Sequence, residues 1–214
     1  NAVNFVDGLD GLATGIVGIS AAAFFVFSYL LAVVNGFNRA GAPSLVTAVI
    51  LGICLGFLPH NYHPARIFMG DSGAMLLGLL LSAAAITLTG QIDINAITDS
   101  KTTTLLPLLL PFAVLAIPLL DLVLAVIRRV RAGRSPFEAD SEHLHHKLLS
   151  MGLSHRRTAA ILYSWTAALA IPAVVAAFAP LWISFLIGIV ILSISLYLLK
   201  DNHPWREREK ELIS

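Results

Sequence analysis

Charge is what this sequence has least of. Asp, Glu, Lys and Arg make up 13% of its 214 residues, against about 25% in soluble globular domains, which is too little polar surface to coat a water-soluble globule. Cysteine is nearly absent as well, and the single Cys54 excludes a disulfide framework or a cysteine metal cluster. The net charge is only +1 and the basic residues are not interleaved with aromatics, so no nucleic-acid partner is expected. The chain opens without an initiator Met or a signal peptide, inside a polar motif, and an upstream portion is expected.

Apolar sequence takes the place of what is missing. Hydrophobic residues make up 57% of the chain and the mean hydropathy is +0.82, values that belong in a bilayer. A spanning helix needs about 20 apolar residues, and the runs at about 12–34, 44–58, 72–88, 104–127, 158–178 and 181–199 predict an all-α, polytopic membrane helix bundle of about six spans. The second run is short, but Gly52 and Gly56 have the small-xxx-small spacing that lets membrane helices approach. Pro107, Pro111, Pro118 and Pro172 fall inside spans, where a membrane helix tolerates a kink.

Six spans put alternate loops on alternate sides. The N-terminal stretch, the loop 59–71, the loop 128–157 and the tail from Lys200 share one face and carry twelve Lys and Arg, whereas the other face carries only Arg39 and Lys101. That asymmetry assigns the first face to the cytoplasm of a multi-pass cell-membrane protein. All seven histidines lie on it.

The polar motifs sit on the same face. Phe68-Met69-Gly70-Asp71-Ser72-Gly73 precedes an apolar run, so Asp71 stands at a helix mouth where backbone N–H groups favour anions. A carboxylate and a phosphate tolerate each other when a cation lies between them, which points to Mg2+ and pyrophosphate; capping of the helix by Asp71 and Ser72 is the alternative. Asp7 and Asp10, three apart before the first span, would share one face of a helical first turn, either as site carboxylates or as partners of the helix dipole. His60, Asn61, Tyr62, His63, Arg66 and Phe68 could form a pocket for a flat base, with Phe68 stacking and Asn61 hydrogen-bonding, or Tyr62 and Phe68 could anchor at the interface.

Asp121, an acid inside the fourth expected span, either lines a site or serves helix packing. In the long loop, Ser135-Pro136 suits a helix start. His143, His145 and His146 have neither a Cys nor an H-E-x-x-H beside them, so phosphate is a better ligand than zinc. The basic loop can also rest on anionic headgroups.

In order and spacing, Asn-Ala-Val-Asn-Phe-Val-Asp-Gly-Leu-Asp-Gly, Asn-Tyr-His-Pro-Ala-Arg-Ile-Phe-Met-Gly-Asp-Ser-Gly and His-Leu-His-His-Lys resemble the polyprenyl-phosphate N-acetylhexosamine-1-phosphate transferases of the glycosyltransferase 4 type. The resemblance covers essentially the whole chain. His143 separated from His145 and His146 by Leu144 is similar to the N-acetylglucosamine branch, and Ser-Pro-Phe with Pro-Leu-Leu-Asp to its actinobacterial members, which use a decaprenyl carrier. The resemblance implies transfer of N-acetylglucosamine 1-phosphate from a UDP-sugar donor to polyprenyl phosphate, releasing UMP. It implies Mg2+, or Mn2+ in its place, held by Asp71 and Asn4, with Asp7 and Asp10 orienting the sugar-phosphate or serving the metal's outer shell. Asn61 and Phe68 would hold the uracil, with Arg66 as a further substrate contact, and His143, His145 and His146 would bind the diphosphate. Family members carry a paired-aspartate motif in an earlier loop that has no counterpart here, so this chain is expected to be a C-terminal portion, inactive alone. A donor such as UDP-N-acetylmuramoyl-pentapeptide is the alternative within the family, a transporter the alternative outside it, and homodimerisation is left open.

Overall fold

The structure, a computed structural model, describes residues 1–34, 40–90, 110–135 and 143–200. Those residues form α1 (Ala2–Val6), α2 (Leu12–Val34), α3 (Gly41–Asn61), α4 (Gly70–Gly90), α5 (Ala116–Arg131), α6 (Leu144–Ser150), α7 (His155–Phe178) and α8 (Leu181–Lys200), with a further helical stretch at 110–114 and no strand among them. Five of these helices, α2, α3, α4, α7 and α8, are 20 to 24 residues long and apolar enough to cross a membrane. At 1.5 Å per residue they rise about 30 to 36 Å, the thickness of a bilayer's hydrocarbon core. The all-α membrane bundle expected from composition is what the chain forms.

The most buried of the five, α2, stands at the centre and packs on α3, α4 and α7, while α8 packs chiefly on α7. Phe24 and Phe27 of α2 form the bundle core with Ile50 and Cys54 of α3, Leu77, Leu81 and Leu88 of α4, and Ala170 and Val174 of α7. Large apolar side chains also point outward, among them Leu45, Val49 and Ile53 on α3 and Phe185, Ile189 and Leu196 on α8. Exposed apolar faces of this extent would drive aggregation in water and are matched to lipid in a bilayer.

Three expectations change. The second span is not short: α3 runs from Gly41 through Pro59 to Asn61, so the following loop begins only at Tyr62. Pro59 falls in the last turn of α3, where it forgoes the hydrogen bond to the carbonyl four residues before it, a loss that membrane helices tolerate. Asp7 and Asp10 do not share a helical first turn. The N-terminal motif makes the short α1 and then a turn, and Gly11, at φ +75°, adopts the left-handed conformation that separates this turn from α2. The helix of the fourth expected span continues past Ile127 to Arg131, while its first residues, 104–109, lie outside the described residues. Also outside them are the helix start expected at Pro136, the basic residues Arg39 and Lys101, and the tail beyond Lys200.

The arrangement that positions the site is a gathering of helix ends. The turn between α1 and α2, the segment between α3 and α4, and the start of α7 meet at one end of the bundle, beside α6 and the basic end of α5. Beneath them lies a second apolar cluster in which Val6, Leu9 and Leu12 meet Ile117, Leu148, Leu153 and Ile161.

Candidate active site

An open cavity of about 270 Å3 lies at this end, lined by Asp7, Asp10, Asn61, Phe68 and Asp71, with the backbone of Gly8 and Gly70. Two separated sequence motifs therefore meet in one space. Asp71 lies in the first turn of α4, and its carboxylate makes no hydrogen bond among the described residues, so it does not act as a side-chain cap. Burial, with the nearby Asp71 charge, pushes the Asp7 carboxyl up from 3.8 to about 6. An acid whose ionisation is opposed by burial and by a neighbouring carboxylate is suited to meet a cation.

An amide oxygen outside the cavity lining is a further candidate donor. Asn4, on α1 where it packs against α4, has a buried Oδ1 with no hydrogen-bond partner among the described residues. No three His, Cys, Asp or Glu side chains converge there in metal-ligand geometry. A carboxylate with an amide oxygen is a hard, sparse donor set, of the kind that Mg2+ completes with water and substrate phosphates.

Asp10 does a different job. Its Oδ2 lies 2.8 Å from Nδ1 of His63 and accepts the Ala65 N–H at 3.1 Å, which ties the 62–69 segment to the α1–α2 turn. Burial acts to raise its pKa, but these hydrogen bonds and the adjacent His63 and His155 outweigh it and hold Asp10 below the usual carboxylate value. His63 stacks on His155 with centroids 4.6 Å apart, and Arg156 Nε donates to the His63 carbonyl at 3.2 Å. Asn61 reinforces the clamp, accepting from Thr14 Oγ1 at 2.7 Å and donating to the Ile67 carbonyl at 3.0 Å. Its amide is thus engaged on both sides even as it lines the cavity. The segment held this way presents Phe68, 74% exposed, and an exposed Arg66.

The histidine segment forms α6 and packs against the same turn. A Cβ on Gly8 would stand 2.7 Å from Cε1 of His145 and closer still to Nε2, so only glycine permits this contact. The three histidines differ in exposure: His143 and His145 are buried, and only His146 faces outward. Burial, with His146 and His143 beside it, lowers His145 from 6.5 to about 4, so it is neutral at physiological pH. The residues that sequence reasoning left unconnected are Asp121, which pairs with His143, Phe5, which stacks on His143, and Tyr163, whose hydroxyl donates to the Gly11 carbonyl at 2.6 Å. Asp121 carried a signal, since an acid within an apolar run needs a partner. Phe5 and Tyr163 carried none.

Residues 1–89 match the model of the family described as glycosyl transferase family 4. A Mycobacterium leprae (strain TN) protein named decaprenyl-phosphate N-acetylglucosaminephosphotransferase is 53% identical over 167 residues, 77% of this chain and 42% of that protein. Residues 1–89 belong to glycosyl transferase family 4. A second relative, from Bacillus subtilis (strain 168) and named "Probable undecaprenyl-phosphate N-acetylglucosaminyl 1-phosphate transferase", is 35% identical over 199 residues, 90% of this chain and 49% of its own length. A third, the phospho-N-acetylmuramoyl-pentapeptide-transferase of Desulforudis audaxviator (strain MP104C), is 38% identical over 169 residues, 79% of this chain and 43% of its own. The chain spans less than half the length of these relatives. Asn4, Asp7, Asp10, Asn61, Phe68 and Asp71 all fall within the family 4 match.

Proposed function

We propose that this chain carries the catalytic face of an enzyme that transfers N-acetylglucosamine 1-phosphate from UDP-N-acetylglucosamine to polyprenyl phosphate, giving polyprenyl-pyrophosphoryl-N-acetylglucosamine and UMP. The observation that carries the reading is the meeting of Asp7, Asp10 and Asp71, from two separated motifs, in one cavity at the end of an apolar helix bundle. The names of the Mycobacterium leprae and Bacillus subtilis relatives support this choice of donor and acceptor. The site would face the cytoplasm, because Arg66, Lys147, Arg156 and Arg157 lie on the polar segments around the cavity.

In this reaction an oxygen of the lipid phosphate bonds to the sugar-side phosphorus of the donor, and the bond from that phosphorus to the bridging oxygen breaks, so UMP leaves with that oxygen. Mg2+, when bound, neutralises charge on the donor's diphosphate so that an anionic nucleophile can approach. Asp71 and Asn4 would hold it. Asp7, already disfavoured as an anion by burial and by Asp71, would ionise fully beside the cation and orient the sugar-phosphate. Phe68 offers a free aromatic face for uracil, with Asn61 beside it in the cavity. Asp10 acts through the segment it clamps. Arg66 and His146 are exposed and free to meet phosphate oxygens, whereas buried, neutral His145 supports the turn from behind.

The test is Asp71→Asn in the full-length protein, assayed in membranes as Mg2+-dependent exchange of labelled UMP with the lipid product. Loss of a metal ligand should lower the rate by orders of magnitude across the Mg2+ range, whereas a helix-end role would cost about 0.5 to 2 kcal/mol of stability. Near-normal exchange by the variant would remove Asp71 from the chemistry. A muramoyl-pentapeptide donor is a second reading, favoured by the Desulforudis relative, and competition between the two UDP-sugars separates them.

A further inference from the structure

Asp121 lies within α5 and is 2% exposed. Both of its carboxylate oxygens are engaged: Oδ2 lies 2.9 Å from Nδ1 of His143, and Oδ1 accepts the backbone N–H of Leu144 at 2.9 Å. His143, the residue before α6, is buried; Phe5 of α1 stacks on it at 5.6 Å between centroids, and His145 lies parallel to it at 5.8 Å. One acid thus holds both the first N–H of the histidine helix and the ring that precedes it. An ionised carboxylate only accepts, so Nδ1 must carry the ring hydrogen, and Nε2 is the nitrogen left for an outside group.

We infer that Asp121 is a positioning residue that docks the start of the histidine helix on α5 and holds His143 in its Nδ1–H form, directing Nε2 to donor phosphate. Neutral His143 would offer Nε2 as an acceptor, and protonated His143 would offer it as a charged donor. Only the phosphate rests on the proposed function; the tautomer stands on the two contacts of the carboxylate. An acid present merely for helix packing would need its oxygens satisfied but would not need its charge.

Asp121→Asn separates these roles, because the amide keeps one acceptor where the carboxylate has two. If that oxygen keeps the Leu144 N–H, the NH2 turns toward Nδ1, which must then accept, and the ring hydrogen moves to Nε2. The experiment uses full-length protein with 15N-labelled histidine, read by NMR beside thermal unfolding and UMP exchange. The expected results are Nδ1–H in the wild type, Nε2–H in Asp121→Asn at nearly unchanged melting temperature, and a rate lowered by about 100-fold. Asp121→Glu, which keeps two acceptors, should restore Nδ1–H and recover part of the rate. Nε2–H in the wild type would overturn the inference, as would an unmoved tautomer in a folded Asp121→Asn, or a switched tautomer with undiminished exchange. If Asp121→Asn does not fold, the wild-type spectrum and the Glu variant decide. A wild type that exchanges UMP with no lipid would sink the proposed function, and the tautomer would still be read.

Discussion

Replacing Asp7 with Asn should make the protein more stable and less active, and the gain should depend on pH. Burial and the Asp71 charge lift Asp7 from 3.8 to about 6. At about 1.36 kcal/mol per pH unit this displacement sets a ceiling of about 3 kcal/mol, and because Asp7 is only half-buried, solvent screening brings the expected effect to about 1 to 2 kcal/mol. A raised folded pKa means that the folded chain holds its proton more tightly than the unfolded chain does. The stability this contributes is full below about pH 4 and is lost as pH rises through about 6. Asn carries no charge at any pH, so Asp7→Asn should match the wild type at pH 4 and exceed it by about 1 to 2 kcal/mol at pH 7. Thermal unfolding of the full-length protein in detergent, from pH 4 to 8 with and without Mg2+, measures this directly. Mg2+ should narrow the gap at pH 7, because a cation between the carboxylates relieves the repulsion, and UMP exchange should be lost at every pH. A melting difference independent of pH, or an Asn variant less stable at pH 7, would refute the electrostatic account of the cavity.

His145 supplies the opposite slope. It is held at about 4 instead of 6.5, so protonation of the unfolded chain should remove up to about 3 kcal/mol of stability as pH falls from 6.5 to 4. His145→Gln should flatten that part of the acid profile, and equal slopes in variant and wild type would place its origin elsewhere. Gly8→Ala forces a methyl into the His145 ring and should cost about 1 to 3 kcal/mol in thermal unfolding, with a loss of exchange activity. Wild-type stability and rate in that variant would mean that the turn and the histidine helix do not pack as described.

Much of this protein was legible in one dimension. Membrane spans need only length and apolar composition, both local properties, so α2, α3, α4, α7 and α8 appear where the runs placed them, within a few residues. The polar motifs were legible for the same reason: carboxylates and histidines in an apolar sequence are costly unless they have work to do. Tertiary structure decided how that work is divided. Asp7 and Asp10 look alike in sequence, yet one faces Asp71 and resists ionisation while the other is satisfied by His63 and the Ala65 N–H. Three histidines within four positions look like one anion site, yet His143 pairs with Asp121, His145 is buried against Gly8, and only His146 is exposed. Partner, burial and charge at each of these residues are set by groups 22 to 137 positions away, because a pKa and a hydrogen bond depend on distance through space, and it is the packing of α1, α4, α5, α6 and the segment between α3 and α4 that brings those groups together.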